Sequence, residues 1–92
     1  MLKWSAQGSR WKAGRLQVGA GPLTWKASFG RQAVALPTDL RRTGVRPPSM
    51  REAMGVNPGA RIVECESHDG VVLIAVMPED LRHVIDALEG PS

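Results

Sequence analysis

The sequence predicts an α+β protein that is mainly β: a bent antiparallel sheet or partly open barrel, capped by a C-terminal helix. Short alternations of apolar and polar residues recur between turn signals through residues 10–77, which is typical of antiparallel strands. An extended amphipathic helix pattern occurs once, from residue 78 onward. With 92 residues, the chain has room for a single hydrophobic core.

The N-terminus is predicted to lie outside that core. Residues 1–9 show no periodicity, so we expect a flexible tail there and a single domain over residues 10–90. No apolar run approaches the roughly 20 residues that would span a bilayer. The single cysteine, Cys65, does not require an oxidising compartment. These features favour a cytoplasmic location and leave peripheral attachment to a membrane open.

Six strands are predicted from the alternation and from turns rich in Gly, Pro, Asn and Asp. The first two and the last two are expected to form hairpins, because each pair is separated by a short turn signal. The predicted strands cover residues 10–18, 23–27, 32–36, 40–46, 61–66 and 71–77.

Trp11 is out of phase with the other apolar residues of the first predicted strand. Leu16 and Val18 alternate with polar neighbours, whereas Trp11 falls on the opposite side of an ideal strand. A bulge or a bend at Gly14 would return all three to one face.

Two helical signals follow the fourth strand. Ser49 and Glu52 have the spacing of a capping box, which predicts a helix of one or two turns that ends near Gly55. The second helix begins at Pro78, a residue suited to the first helical position. Its apolar positions, all expected to face the sheet, are Leu81, Val84, Ile85 and Leu88.

Scattered motifs run along most of residues 10–89. They are Trp11-Lys12-Ala13-Gly14-Arg15-Leu16, Leu23-Thr24-Trp25, Asp39-Leu40, Arg46-Pro47, Glu52-Ala53 and the run from Gly59 to Cys65, followed by the closing strand and helix. Together they resemble an uncharacterised actinobacterial family that has a pleckstrin-homology-like domain and is usually membrane-anchored.

The resemblance implies two nearly orthogonal antiparallel sheets capped by a C-terminal helix, with no established enzymatic activity. It also implies a seventh strand, which we expect near residues 3–8 or 50–57. Members of the family carry a membrane-spanning helix ahead of the domain. This sequence shows no such segment, and that difference leaves the membrane role open.

No group of residues in the sequence has the spacing of a catalytic or metal site. Cys65 lies on the apolar side of a predicted strand between two glutamates, a setting that favours a buried and inert thiol. His68 and His83, even with Asp69 or Asp86, match no zinc spacing. We therefore expect no enzyme activity, no metal ion and no cofactor.

Charge is divided unevenly along the chain. Residues 1–51 carry ten basic residues and one acid, a net charge of +9, whereas residues 52–92 carry two basic residues and eight acids, a net charge of −6. In a folded domain this division favours docking on an anionic surface in one orientation. Among the basic residues, the predicted contact set is Arg31, Arg41, Arg42 and Arg46.

The predicted function is therefore that of a non-catalytic interaction or scaffold module. Its basic half would bind an anionic membrane surface or an acidic protein partner. A small nucleic-acid-binding protein is the alternative, although the sequence has no helix-turn-helix, zinc-finger or aromatic RNA-binding signature. Two further interpretations remain open: self-assembly through oppositely charged faces, and a basic surface that is simply solvated.

Overall fold

The computed structural model describes residues 1–4, 11–17, 23–27 and 33–89, which form two antiparallel sheets and a C-terminal helix. The strands are β1 (Leu2–Trp4), β2 (Gly14–Gln17), β3 (Thr24–Ala27), β4 (Ala33–Ala35), β5 (Arg41–Arg46), β6 (Arg61–Ser67) and β7 (Gly70–Val76). A short 3₁₀ helix spans Glu52–Met54, and α1 spans Pro78–Glu89. One sheet, sheet A, has the order β1-β7-β6-β5, and the other, sheet B, has the order β2-β3-β4.

This architecture confirms the mainly β, α+β prediction with its C-terminal helix. Both predicted hairpins pair antiparallel, β2 with β3 and β6 with β7. The turn between β6 and β7 is completed by Gly70, whose φ of 122° favours glycine. In the part of the chain that the structure describes, the two sheets do not close into a barrel.

Strand β1 occupies the region that the sequence predicts to be a flexible tail. Leu2 and Trp4 are only 3% and 7% exposed, and β1 pairs with the edge of β7. At residues 2–4 the structure thus has a strand in place of the predicted tail, overlapping one of the two positions at which a seventh strand is expected, because two apolar side chains on one face can complete the core. A strand this short has too few alternations to be detected as periodic. Residues 5–10 lie outside the described residues.

The main core lies between the two sheets and α1. Val63 and Cys65 of β6 face it together with Val72 and Ile74 of β7, and all four are fully buried. Sheet B contributes Trp25, which is 4% exposed. The two central strands of sheet A therefore supply the centre of the hydrophobic core.

A second apolar cluster covers the opposite face of sheet A. It consists of Val56, Ala60, Ile62 and Ala75, with other residues including Leu73 packed against it. Strand β7 is therefore covered on both faces, which explains why its sequence is a continuous apolar run.

Trp11 packs in this second cluster and not on the face of Leu16. Of the two possibilities at Gly14, the bulge is not formed, since Gly14 pairs in regular register with Ala27. Gly14 has a different role. A Cβ atom at this position would lie 2.4 Å from the backbone oxygen of Lys26 and 2.7 Å from Nε1 of Trp25. A glycine is thus needed for the close packing of the Trp25 indole on β2.

Helix α1 begins at Pro78, as predicted, and packs mainly against β5 and β6. Val84 is its most buried residue, at 7% exposed, and Leu81 and Leu88 pack against the same core. Ile85 differs from the prediction: it is partly exposed and does not belong to that group of contacts. Three of the four apolar positions therefore hold the helix on the sheet.

Candidate functional site

Strand β5 lies at the edge of sheet A and carries three of the four predicted contact residues. Its register shifts between Arg42 and Gly44, which leaves one extra residue opposite β6. Because of this bulge, Leu40 and Val45 lie on the same side of sheet A although they are five positions apart, an odd spacing. Leu40 packs against the main core, whereas Val45 is 37% exposed. That odd spacing is the sequence signal for the bulge.

Arg46 is bound by two carboxylates of the chain itself. Its Nη1 and Nη2 donate to the two oxygens of Glu52 at 2.5 and 2.9 Å, and its Nε donates to Oε2 of Glu64 at 3.0 Å. Opposite Glu64, a Cβ on Gly44 would lie 3.0 Å from the other carboxylate oxygen, so glycine leaves room for this arrangement. The charge of Arg46 is therefore already compensated within the protein.

The predicted capping box is confirmed beside this ion pair. The Ser49 backbone donates to Oε1 of Glu52 at 2.9 Å, and the Glu52 backbone donates to Oγ of Ser49 at 3.2 Å. Hydrogen bonds from Arg46, the largest effect, and from Ser49 lower the pKa of Glu52 to about 2. Glu52 thus remains ionised, and its carboxylate is directed toward Arg46.

The remaining residues of the predicted contact set are in three different situations. Arg42 donates to Glu89 of α1 at 2.6 Å, in a solvent-exposed pair. Arg41 is exposed opposite Glu66 and makes no ion pair with any residue that the structure describes. Arg31 lies outside the described residues. The acidic half of the chain therefore neutralises two of the four arginines.

Sheet B carries basic residues that the predicted contact set did not include. Arg15 of β2 and Lys26 of β3 are direct cross-strand partners, and both are exposed. Like charges in directly opposite positions destabilise a sheet. No acid occurs anywhere in residues 1–38, so nothing in this sheet compensates the pair. The absence of acids from residues 1–38 is the feature of the sequence that could have indicated these uncompensated cations.

Lys3 and Trp11 extend the same surface toward sheet A. The Lys3 ammonium lies 5.9 Å from the centroid of the Trp11 ring, within cation–π distance. Lys12 exchanges two backbone hydrogen bonds with Leu2, which places residues 11–13 beside β1. The segment that holds Trp11 continues directly into β2, which carries Arg15 four positions further on. We call Lys3, Trp11, Arg15 and Lys26 the basic face.

His68 and His83 are not brought together. His68 Nδ1 lies 2.8 Å from Oδ2 of Asp39, its backbone donates to the same oxygen at 2.9 Å, and its Nε2 lies 3.3 Å from Asp69. The hydrogen bond to Asp39 raises the pKa of His68 and lowers the pKa of Asp39. Across the described ranges, no cluster of three or more His, Cys, Asp or Glu side chains could hold a metal ion.

Cys65 has the environment of a core residue. It is fully buried, and desolvation raises the pKa of its thiol to about 11, with only a smaller opposing effect from Arg42. A thiol that remains protonated and inaccessible is a poor nucleophile.

An open cleft of about 460 Å³ lies between β2, the end of β7 and the first turns of α1. Leu16, Trp25 and Val84 contribute to its apolar wall, while Arg15 and His83 contribute polar groups. Asp80 also lines the cleft, so the charges of the cleft are mixed, and Arg15 belongs both to the cleft and to the basic face.

Comparisons of the chain with protein-family models, with curated proteins and with solved structures gave no match. Within the described residues, no helix is both long enough and apolar enough to cross a bilayer.

Proposed function

We propose that this protein is a non-catalytic interaction module, pleckstrin-homology-like in type, that docks on an anionic membrane surface through the basic face. The observation that carries the proposal is the exposed cross-strand pair of Arg15 and Lys26 in a sheet without acids. Two cations held side by side repel each other in the free protein. An anionic surface would relieve that repulsion and gain attraction to both.

The expected strength of the contact follows from the number of cations. Each Lys or Arg near an anionic bilayer contributes about 1 kcal/mol at physiological ionic strength. Lys3, Arg15 and Lys26 together would give about 3 kcal/mol by this rule, which is a weak, reversible attachment. Arg41 and Arg31 remain candidates for further contacts. Arg42 and Arg46 are less suited, since each already holds a carboxylate.

The basic face has features that favour binding to a membrane over binding to a nucleic acid. Nucleic-acid surfaces of this kind use exposed aromatic rings on which bases stack. Trp11 is the aromatic residue of the basic face, and the Lys3 ammonium lies over its ring. An acidic protein could be attracted by the same charges, and the experiment below separates these partners.

The experiment compares two charge reversals of equal size. Arg15→Glu changes the basic face, whereas Arg82→Glu changes an exposed arginine on α1, whose partner Asp86 is 3.8 Å away. Binding is measured by co-sedimentation with vesicles of phosphatidylglycerol and phosphatidylcholine, and the melting temperature verifies folding. We expect Arg15→Glu to weaken binding about 30-fold, from two charge units at about 1 kcal/mol each. Arg82→Glu should have a much smaller effect.

Three results would contradict the proposal. Equal losses for the two variants would mean that net charge acts without a defined face. Binding of wild type to a random oligonucleotide but not to the vesicles would favour the nucleic-acid alternative. Failure to bind vesicles at low salt would exclude the membrane, and an oligomer that is concentration-dependent and salt-sensitive in light scattering would then indicate self-assembly.

A further inference from the structure

The turn formed by residues 49–55 exposes two methionines almost completely. Met50 is 92% exposed and Met54 is 89% exposed, far more than Val71 at 44%, the next most exposed large hydrophobic residue in the described chain. Backbone hydrogen bonds from Ala53 to Ser49 and from Val56 to Glu52 give this turn a helical form. The two thioether side chains thus project into solvent from the same short turn, four positions apart, and we call this turn the tip.

The tip is attached to the rest of the protein by a buried side chain and by hydrogen bonds. Val56, directly after it, is 6% exposed in the second apolar cluster. The capping box and the Arg46 ion pair fix Glu52, the one acid of the turn, with its carboxylate away from the tip. Arg51 is exposed between the methionines. The tip therefore presents apolar groups together with a cation, without a neighbouring free carboxylate.

The tip is continuous with the basic face. Met54 is followed by Gly55, where a Cβ atom would lie 3.6 Å from Cδ1 of Trp11. The Lys3 ammonium lies over the same indole ring. The tip and the basic face thus meet at Trp11, a residue type that is enriched at membrane interfaces.

We infer that Met50 and Met54 insert into the interfacial region of an anionic bilayer, with Arg51 at the lipid phosphates. This inference rests on the proposed function, which brings the basic face to the same membrane. The positive charge of the tip and the basic face favours an anionic bilayer as the partner. A bilayer offers acyl chains and anionic groups in one plane, whereas the same surface on a second copy of the chain would be repelled. Unbranched methionine side chains adapt readily to irregular apolar surroundings.

The test compares Met50→Ser/Met54→Ser with the matched variant Met50→Leu/Met54→Leu in the same vesicle assay. Burying a methionine side chain strengthens binding about tenfold or more, so the serine variant should bind about 100-fold more weakly. The leucine variant should bind like wild type, because it keeps the apolar surface. Both should melt near the wild-type temperature, since the replaced side chains are exposed.

Methionine methyl NMR provides a direct second measurement. The chain has four methionines, and Met1 and Met77 are partly buried beneath the tip in the second apolar cluster. With a nitroxide placed on the acyl chains of the vesicle lipids, the methyl signals of Met50 and Met54 should broaden strongly. The signal of Met77 should broaden much less, and it serves as the internal control.

The outcomes separate the two proposals. If Arg15→Glu abolishes vesicle binding while the serine variant binds like wild type, the tip does not insert and the proposed function stands. Equal broadening of Met54 and Met77 would likewise overturn the insertion. If wild type fails to bind anionic vesicles, the proposed function fails and the inference fails with it.

Discussion

Position in the fold, more than residue type, sets the chemistry of individual side chains in this protein. Cys65 is chemically capable of nucleophilic attack, but β6 directs it into the main core, where it is fully buried. His68 has the opposite situation: it is exposed, and Asp39 from a distant turn hydrogen-bonds both its ring and its backbone. Sequence neighbours predicted the burial of Cys65, whereas the pairing of His68 with Asp39 depends on a contact across 29 positions.

The thiol of Cys65 should react slowly in the native protein. Its pKa of about 11 leaves little thiolate at neutral pH, and burial blocks access of the reagent. A colorimetric thiol reagent should therefore label native protein far more slowly than protein in denaturant. Rapid native labelling at a rate independent of denaturant would show that β6 does not hold Cys65 in the core.

The interaction between His68 and Asp39 should appear in a pH titration. Asp39 raises the pKa of His68 above its ordinary value of 6.5, so Asp39→Asn should return it toward 6.5. The linked stability is fully present below pH 6.5 and is lost as pH rises through the raised pKa. On the acid side, the contribution of Asp39 is lost as pH falls below 3.8. NMR titration of the ring C–H signals measures the shift, and an unchanged His68 titration in Asp39→Asn would contradict it.

At the level of the elements, the periodic segments were predictable and the irregular ones were not. The α1 start at Pro78 and the β6–β7 hairpin follow from strong local patterns. The pairing of β1 and the bulge in β5 depend on strands far away in the sequence. Trp11 was assigned to the wrong face because its partners, residues of the second apolar cluster, come from the other half of the chain.

Helix α1 provides a prediction that separates two adjacent apolar residues. The sequence pattern treats Val84 and Ile85 alike, but only Val84 belongs to the buried core. Val84→Ala should cost about 2 kcal/mol of unfolding free energy, because it removes two buried carbon groups. Ile85→Ala should cost less despite its larger truncation, since Ile85 is partly exposed. Urea denaturation measures the free energy of unfolding of both variants. A larger loss of stability for Ile85→Ala would mean that α1 is rotated about its axis, with Ile85 and not Val84 facing the core.

For the whole molecule, the division of charge along the sequence becomes two different surfaces. Sheet A draws strands from both halves, so its β5 arginines meet carboxylates of the acidic half, as in the Arg46 and Glu64 pair. Sheet B draws all its strands from residues 1–38, which contain no acid. The positive charge therefore persists on sheet B, where Arg15 and Lys26 lie side by side.

The first four residues should be required for the folded state. Their removal deletes β1 together with the buried side chains of Leu2 and Trp4. Loss of a buried leucine or tryptophan costs about 2–5 kcal/mol each, comparable to the whole stability of a small domain. Circular dichroism of a chain lacking residues 1–4 should show loss of cooperative melting. Lys3→Ala is the control, because it keeps β1 and both buried side chains. A truncated chain that melts like the full one would restore the tail interpretation.

The sequence by itself determined the fold class, the C-terminal helix, the capping box at Ser49 and Glu52, and the excess of positive charge in its first half. These features depend on residues within a few positions of one another or on composition. Among the described residues, only the tertiary structure decided which cations are bound by carboxylates: it pairs Arg46 with Glu52 and Glu64, and it places Arg15 beside Lys26. Strand pairing decides which charges meet, because the distance between two charges depends on sheet order and register. Local sequence patterns do not specify either of them.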